Sequence, residues 1–273
     1  MASRIVLMLF DNPNRDYVSR LTNGFRRHAG SAGLDARAHI IYGTDETAEK
    51  VVKEADVGGF LLTAPLSDDR HLMLTIEKRG LPFARIAHLL DPGRGITVSM
   101  DEYEAARVIT SLLLQAGHRR VGIIRGPRSH LSSIRRYNGF TAALGEKGAK
   151  LDPSLIVEGA YTRESGQEMG ERLLAAGPTA VFASNDSMAA GLADAARKKG
   201  LSVPRDLSIV GFDDDPIAKS MNPPLSSIRQ PLEEMGAKAC EMLAAVMAGK
   251  GSRSAHADVP FEVVERSSVV APA

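Results

Sequence analysis

The feature that most constrains the fold is a regular alternation between short apolar runs and segments with helical spacing of apolar residues. Ile5–Phe10 (IVLMLF) predicts a strand buried on both faces, as in parallel sheets. The segment after it, Tyr17–Ser31, carries apolar residues such as Leu21 and Phe25 at the spacing of one helix face. Because this order repeats along the chain, the sequence predicts an α/β fold with helices on both faces of parallel sheets.

The number of predicted strands indicates two lobes. About ten strands are too many for one small twisted sheet, so two doubly wound halves fit better. The alternation restarts after Met100–Asp101, and no Pro/Ser-rich linker separates the halves. The last predicted elements are a long helix, Leu232–Met247, and a final strand, Val259–Val264.

Charge and cysteine content exclude several classes of protein. The 34 Lys+Arg and 33 Asp+Glu residues give a net charge of +1, which excludes binding of nucleic acid or acidic membranes by bulk charge. The single cysteine, Cys240, excludes an internal disulfide and a cysteine zinc cluster. The apolar run after Arg4 is too short for a signal peptide, and no run approaches the ~20 residues of a membrane helix. We therefore expect a cytoplasmic chain.

The sequence lacks the motifs of the common enzyme classes. It has no G-x-G-x-x-G after the first strand, no phosphate-binding P-loop, no G-x-S-x-G and no H-E-x-x-H. The acidic run Asp213–Asp215 has the chemistry for Mg²⁺ or Ca²⁺, but Pro216 follows it and no EF-hand pattern is present. We expect one ligand-contacting carboxylate with capping neighbours, and neither metal nor cofactor. An α/β enzyme stays open as an alternative that would need a nucleophile–base pair or a metal set.

The loops that follow the predicted strands are the natural place for a ligand, since ligands of parallel α/β sheets bind outside the carboxyl ends of the strands. These loops carry Asp, Asn, Arg, Ser, His and Tyr. This set suits hydrogen bonding to a polyhydroxy or heterocyclic molecule.

Five segments carry a resemblance to a known family. They are GHRRV (117–121), RYNGF (136–140), ASND (183–186), VPRDLSIVGFDD (203–214) and PPLSSIRQP (223–231). In their order and spacing they resemble the effector-binding region of the LacI/GalR family of bacterial transcription regulators. The resemblance extends from Ile5 to about Val264.

The resemblance implies a periplasmic-binding-protein-like fold of type I. Two doubly wound parallel-sheet lobes are joined by three crossovers, expected near Met100–Asp101, Ile228 and Gly251. The N-terminal lobe would hold residues 1–100 plus 228–251, and the C-terminal lobe residues 101–227 plus 252–273. Between them the family binds a small polar effector, a sugar or sugar derivative first and a nucleoside-like molecule second, without catalysis.

The resemblance also implies partners. Family members form homodimers and read operator DNA with an N-terminal helix-turn-helix domain. We expect that domain to be absent from this chain, because the sequence starts at the first strand of the core. The alternative is a periplasmic solute-binding protein of a sugar transporter, which shares the fold.

The family's ligand contacts map onto named positions. Arg136 matches the arginine of R-x-x-G-[FY], and Asp213 matches the aspartate after the V-G-[FY] strand. Many members have Asp followed by Arg or an aromatic residue after the fourth strand, where this chain has Ala87 and His88, so His88 is expected to substitute. For Asn185 a helix N-cap, and for Tyr17 packing into the lobe, are the alternatives. The remaining predicted contacts are Asp16, Thr63, His130, Ser132 and Tyr161.

Overall fold

The computed structural model describes residues 4–88, 90–91 and 93–272, which form two compact units. The first unit, called the first lobe below, comprises Met1–Met100 and Pro231–Pro260. The second, called the second lobe, comprises Asp101–Gln230 and Phe261–Ala273. Each lobe contains one six-stranded sheet.

The sheet of the first lobe has the strand order β11-β5-β4-β3-β1-β2, and all its pairs are parallel. Its strands are β1 (Ile5–Phe10), β2 (Asp35–Ile40), β3 (Gly59–Leu62), β4 (Phe83–Ile86), β5 (Ile96–Ser99) and β11 (His256–Asp258). Its helices are α1 (Arg15–Ala29), α2 (Ala48–Glu54), α3 (Arg70–Lys78) and α9 (Leu232–Met247), with a 3-10 turn at Leu66–Asp68.

The sheet of the second lobe repeats this topology with the order β12-β10-β9-β8-β6-β7. Only its edge strand β12 runs antiparallel, against β10. Its strands are β6 (Val121–Arg125), β7 (Ile156–Glu158), β8 (Ala180–Ala183), β9 (Ser208–Asp213), β10 (Ser226–Arg229) and β12 (Glu262–Val264). Its helices are α4 (Glu102–Gln115), α5 (Leu131–Glu146), α6 (Arg163–Ala175), α7 (Asp186–Lys198) and α8 (Pro216–Ser220), with a 3-10 turn at Pro153–Leu155.

In both sheets, therefore, the strand order reverses at equivalent places, between β1 and β3 in the first lobe and between β6 and β8 in the second. At such a switch point two neighbouring strand-to-helix loops diverge, and the crevice between them is the usual ligand position. The prediction of two doubly wound, parallel-sheet lobes is confirmed.

The core of each lobe lies on both faces of its sheet. Met8 of β1 packs with α1 and α9 on one face, and the next residue, Leu9, packs with α2 and α3 on the other. Helices α1 and α9 can approach closely because Gly24 and Gly236 have no side chain. A Cβ at Gly24 would overlap the backbone of Glu233, and a Cβ at Gly236 would overlap that of Leu21. Burial of apolar residues on both sheet faces explains why the strands are uniformly hydrophobic.

Helix ends are marked by residues that the sequence shows directly. Asp101 caps α4 by accepting a hydrogen bond from the backbone N–H of Glu104 at 2.9 Å. Gly117 follows α4 at φ +103°, a conformation that only glycine adopts without strain. These signals place the start and the end of α4 where the sequence predicts them.

The structure corrects the tail and two lobe bounds. The predicted strand Val259–Val264 is shortened to β12 (Glu262–Val264), which pairs with β10. The preceding strand β11, which was not predicted, pairs with β5 in the other sheet. Residues 256–258 therefore belong to the first lobe, although 252–273 were predicted in the second. The unpredicted strand β10 pairs with β9, which places residues 228–230 in the second lobe rather than the first.

One helix bound affects the site. Helix α5 starts at Leu131, five residues before Arg136, and His130 occupies its N-cap position. Ser132 therefore lies in the first turn of the helix rather than in the preceding loop, and Arg136 lies in its second turn. Within the part of the chain that the structure describes, no helix combines the length and apolarity needed to cross a bilayer.

Candidate functional site

Arg136 is the centre of a polar cluster in the second lobe. Its Nε and Nη2 donate hydrogen bonds to the two carboxylate oxygens of Glu102, at 3.1 and 3.3 Å. Its Nη1 donates to the carbonyl oxygen of Ser184 at 2.6 Å. The guanidinium carbon lies 3.7 Å from the centre of the Phe212 ring. Contacts on all sides fix the orientation of this side chain, which is only 7% exposed.

Asp213 lies next to Arg136 at the end of β9. Its backbone has φ +113°, in the region that favours glycine, so the local fold holds this residue in a strained conformation. Its Oδ1 accepts a hydrogen bond from Gln230 Nε2 at 2.5 Å and lies 3.8 Å from Arg136 Nη1. The carboxylate is therefore positioned from two sides.

The guanidinium of Arg136 is charged despite its burial. Burial lowers the pKa of Arg136, but the neighbouring Glu102, Tyr161 and Asp213 outweigh this effect and raise the pKa above its ordinary value. Glu102 itself is buried in the first turn of α4, so its carboxylate and the guanidinium form a desolvated ion pair.

Tyr161 packs beside this cluster, and its backbone has φ +62°. Its ring lies against Gly126, where a Cβ would overlap the ring, and its centre is 5.7 Å from that of the His130 ring. Burial raises the pKa of Tyr161, while Arg136 and the side chain of Ser132 act in the opposite direction. The predicted residues His130, Ser132 and Tyr161 are therefore neighbours.

Asn185 has a structural use for both ends of its amide. Its Oδ1 accepts a hydrogen bond from the N–H of Met188 at 2.9 Å and so caps α7. Its Nδ2 donates to the carbonyl oxygen of Tyr161 at 3.0 Å. These bonds support the N-cap alternative and show how Asn185 holds Tyr161 in place.

The two aspartates that follow Asp213 support the lobe itself. Asp214 accepts hydrogen bonds from Arg229 Nε at 2.8 Å and Arg266 Nη2 at 2.5 Å. Burial raises the pKa of Asp214, but these two arginines outweigh it and lower the pKa. Asp215 occupies the N-cap position of α8.

Asp186, in the first turn of α7, is a buried acid that sequence reasoning missed. Its Oδ2 accepts a hydrogen bond from the N–H of Asp215 at 2.8 Å, and its Oδ1 lies 2.7 Å from Ser227 Oγ. Burial, reinforced by the charge of Asp213, raises the pKa of Asp186 well above its ordinary value. Two carboxyl groups in one desolvated corner do not ionise together easily.

In the first lobe, Asp16 and Tyr17 lie at the start of α1, just after β1. Asn14 caps this helix, since its Oδ1 accepts hydrogen bonds from the N–H groups of Asp16 and Tyr17 at 3.0 and 3.1 Å. Tyr17 packs partly against the apolar core of the lobe, which supports the packing alternative. Thr63 is fully buried, and its hydroxyl donates to the carbonyl oxygen of Leu9 at 3.1 Å, so its proton is used within the lobe.

His88 follows β4 and is 7% exposed. Its ring lies 5.6 Å from that of His256 in an edge-to-face arrangement. Burial lowers the pKa of His88 to about 4, and the charges of Arg85 and His256 add to this effect. The imidazole is therefore neutral at physiological pH. Its Nδ1 is buried and has no hydrogen-bond partner among the described residues.

Arg85 organises the segment that contains His88. This fully buried residue of β4 directs all its donors at the loops on either side, and sequence reasoning missed it because FARI reads as an ordinary strand. Its five hydrogen bonds, at 2.6–3.0 Å, go to Ser67 O, Asp68 Oδ1, Leu90 O, Asp91 O and Arg94 O.

A cavity of about 240 Å³ opens elsewhere in the first lobe, lined by residues that include Glu77, Phe83, Arg94 and Arg253. Phe83 begins β4 and Arg253 precedes β11, so the cavity lies at the amino ends of these strands. The predicted contacts lie at the carboxyl ends, where parallel sheets bind ligands. We therefore do not assign this cavity to the predicted site.

Among the predicted contacts, the structure brings together six in the second lobe: His130, Ser132, Arg136, Tyr161, Asn185 and Asp213. The four in the first lobe follow the ends of β1, β3 and β4. Glu102 and Gln230 were missed, although Glu102 directly follows the crossover predicted at Met100–Asp101 and Gln230 lies two residues after the one predicted at Ile228.

Comparison with known proteins identifies the family. Residues 110–269 match the periplasmic binding protein-like domain family. The chain is 37% identical over 270 residues to the HTH-type transcriptional repressor PurR of Pasteurella multocida, which covers 96% of this chain and 80% of that protein.

Two solved structures share the fold along nearly the whole chain. A complex of the transcriptional regulator CelR with cellobiose superposes with a TM-score of 0.90 at 25% identity, covering 97% of this chain and 84% of that one. A LacI family transcriptional regulator from Mycobacterium smegmatis superposes with a TM-score of 0.87 at 25% identity, covering 98% and 100%. The relatives are regulators and not enzymes, which removes the α/β-enzyme alternative. The chain belongs to the LacI family of transcriptional regulators.

Proposed function

We propose that this chain is the ligand-sensing and dimerisation core of its regulator and that it binds a small polar effector, a sugar or sugar derivative. The observation that carries the proposal is the cluster around Arg136, where a buried guanidinium and the Asp213 carboxylate are fixed by their neighbours. Preorganised donors and acceptors beside aromatic rings suit a hydroxylated ring.

The residues of this cluster offer different kinds of contact to a ligand. Asp213 offers a carboxylate that accepts hydrogen bonds from hydroxyl or ring N–H groups, and Arg136 offers donors. Tyr161 presents an aromatic face that is held by Gly126 on one side. The cellobiose complex of the similar regulator CelR supports a sugar as the ligand class. In the first lobe, we assign Asp16, Tyr17 and His88 to ligand binding, with His88 as a neutral partner.

The proposed mechanism is a shift between two states of a homodimer. Ligand binding favours one arrangement of the lobes and changes the spacing of two helix-turn-helix domains on operator DNA. The coupling needs a ligand affinity that differs between the states by about 1–3 kcal/mol. We place this activity in the cytoplasm. The solute-binding alternative is not favoured, because the relatives are regulators.

The proposal is tested by thermal unfolding of the chain with neutral mono- and disaccharides, cellobiose included, and with nucleosides. A ligand at 100 times its Kd adds about 2.7 kcal/mol of stability, which is a rise of roughly 5–10 °C in Tm for a domain of this size. Asp213→Ala is expected to abolish the rise. The matched control Asp206→Ala, at an exposed aspartate, is expected to keep it.

The DNA-binding part is tested on the gene. We expect an in-frame segment encoding a helix-turn-helix pattern upstream of codon 4, and operator binding by the whole product that changes when the effector is added. A product that binds no specific DNA, or turnover of any compound in the panel, would contradict the proposal.

A further inference from the structure

Arg125 is a buried cation that the proposed site has not used. It ends β6 at the switch point of the second lobe and is 8% exposed. Its guanidinium carbon lies 4.7 Å from the centre of the Tyr137 ring. Tyr137 directly follows Arg136 on α5, and Gly126, which supports Tyr161, directly follows Arg125. Arg125 therefore borders the cluster described above.

Arg125 has no anionic partner among the residues of the lobe that the structure describes. No hydrogen bond or ion pair joins its side chain to any residue that the structure describes, and its Nε is buried without a partner. The neighbouring carboxylate on β7, Glu158, is paired with Arg128 at 3.1 Å. A buried charge without a counter-charge is unfavourable, and among the described residues the Tyr137 ring is the group that offsets it.

The other buried arginine of the cluster does not fill this role. Three N–H groups of Arg136 already donate to oxygens of Glu102 and Ser184, and its charge is matched by Glu102. Asp213 adds a further negative charge. A ligand group with full negative charge would thus be repelled near Arg136 and attracted by Arg125.

We infer that Arg125 is a ligand-binding residue that receives an acidic group, a carboxylate or a phosphate, of the effector. The inference rests on the proposed function and narrows its ligand class to acidic or phosphorylated sugar derivatives. The guanidinium presents a planar fork of donors, which matches either anion, and binding supplies the partner that the folded lobe lacks.

The test compares three proteins: wild type, Arg125→Met and Arg135→Met. Arg135 is an exposed arginine of α5 and provides the matched control. The first probe is inorganic phosphate against chloride at equal ionic strength, read by thermal unfolding. Phosphate is expected to raise the Tm of the wild type and of Arg135→Met, and to leave that of Arg125→Met unchanged. Without phosphate, Arg125→Met is expected to be at least as stable as the wild type, because an unpaired buried charge has been removed.

The second probe distinguishes the two anions. Glucose, glucose 6-phosphate and glucuronate are titrated by calorimetry. In the wild type, the acidic sugar that binds is expected to bind at least 10-fold more tightly than glucose. In Arg125→Met, the acidic sugar and glucose are expected to bind with equal affinity. The inference is overturned if phosphate stabilises the wild type no more than chloride does, or if Arg125→Met keeps the phosphate shift.

The outcomes separate this inference from the proposed function. Binding of neutral sugars without any anion effect leaves the proposed function standing and refutes the role of Arg125. If the protein binds neither sugars nor operator DNA but shows a phosphate-induced rise in Tm that depends on Arg125, the proposed function is refuted and the anion-binding role of Arg125 is supported.

Discussion

Removal of the Arg136 guanidinium gives the sharpest test of the buried ion pair. Arg136→Ala leaves the Glu102 carboxylate, whose side chain is 7% exposed, without its two hydrogen bonds and without a counter-charge. It also removes the bond to the carbonyl oxygen of Ser184. Breaking a buried pair on one side costs about 3–5 kcal/mol. With a urea m-value of about 2–3 kcal/mol/M, the midpoint falls by roughly 1–2.5 M.

Two further variants change residues of the same region and are compared with Arg136→Ala. Arg107→Ala breaks the solvent-accessible pairs of Arg107 with Glu104 on helix α4 and Glu146 on helix α5, and it is expected to unfold at nearly the wild-type urea concentration. Arg136→Met combined with Glu102→Leu removes both charges and is expected to lose less stability than either single change, since neither charge is left uncompensated.

The assay is urea unfolding followed by circular dichroism, because the sequence has no tryptophan. The loss in Arg136→Ala is expected to be smaller at low pH than at pH 8, since an unpaired buried carboxyl group becomes neutral by taking up a proton. A loss no larger than that of Arg107→Ala, or one that does not change with pH, would refute the reasoning.

Three further predictions follow from buried groups. The pKa of Asp186 is raised in the folded state, so the contribution of this group to stability is complete below the unfolded pKa near 4 and is lost as pH rises through the folded pKa. Asp186→Asn should therefore flatten the pH dependence of the unfolding midpoint above pH 4. An unchanged slope would contradict this. Gly126→Ala should displace the Tyr161 ring, lower the free energy of unfolding by about 1–3 kcal/mol and weaken ligand binding. Gly145→Ala, at a position in α5 with open space around it, should raise the free energy of unfolding by about 0.5–1 kcal/mol. Equal Tm values for the two variants would contradict this. Arg85→Met should lower the urea midpoint markedly by removing five hydrogen bonds, and it should speed proteolysis of the segment after β4. A protease pattern like that of the wild type would count against this role.

The fold was predictable because it depends on local patterns. Apolar runs such as Ile5–Phe10 and Val121–Arg125 are buried strands, and caps such as Asp101 mark helix starts. The short strand β10 was missed because Ser226–Arg229 has too few apolar residues for a strand signal and is stabilised by pairing with β9.

The sequence predicts a set of site residues, but it does not predict the network of contacts around them. The Arg136–Glu102 pair joins positions 34 apart in the sequence and exists only because α4 packs on α5. The engagement of Thr63 with Leu9 spans 54 positions, and no local pattern announces it. For Arg125, the strand VGIIR indicates burial of the backbone but does not show whether a carboxylate lies within reach of its side chain.

The late position of α9 and β11 in the chain has a consequence for synthesis on the ribosome. The first lobe lacks these elements until about 130 residues after Met100 have been translated, a delay of roughly 7–26 s at bacterial rates. During that time the apolar face of α1, with Leu21 and Phe25, has no α9 to cover it, and the edge of β5 has no β11. Such a nascent chain offers an open strand edge and an apolar helix face to other molecules, so its first hundred residues depend on protection until the last forty emerge.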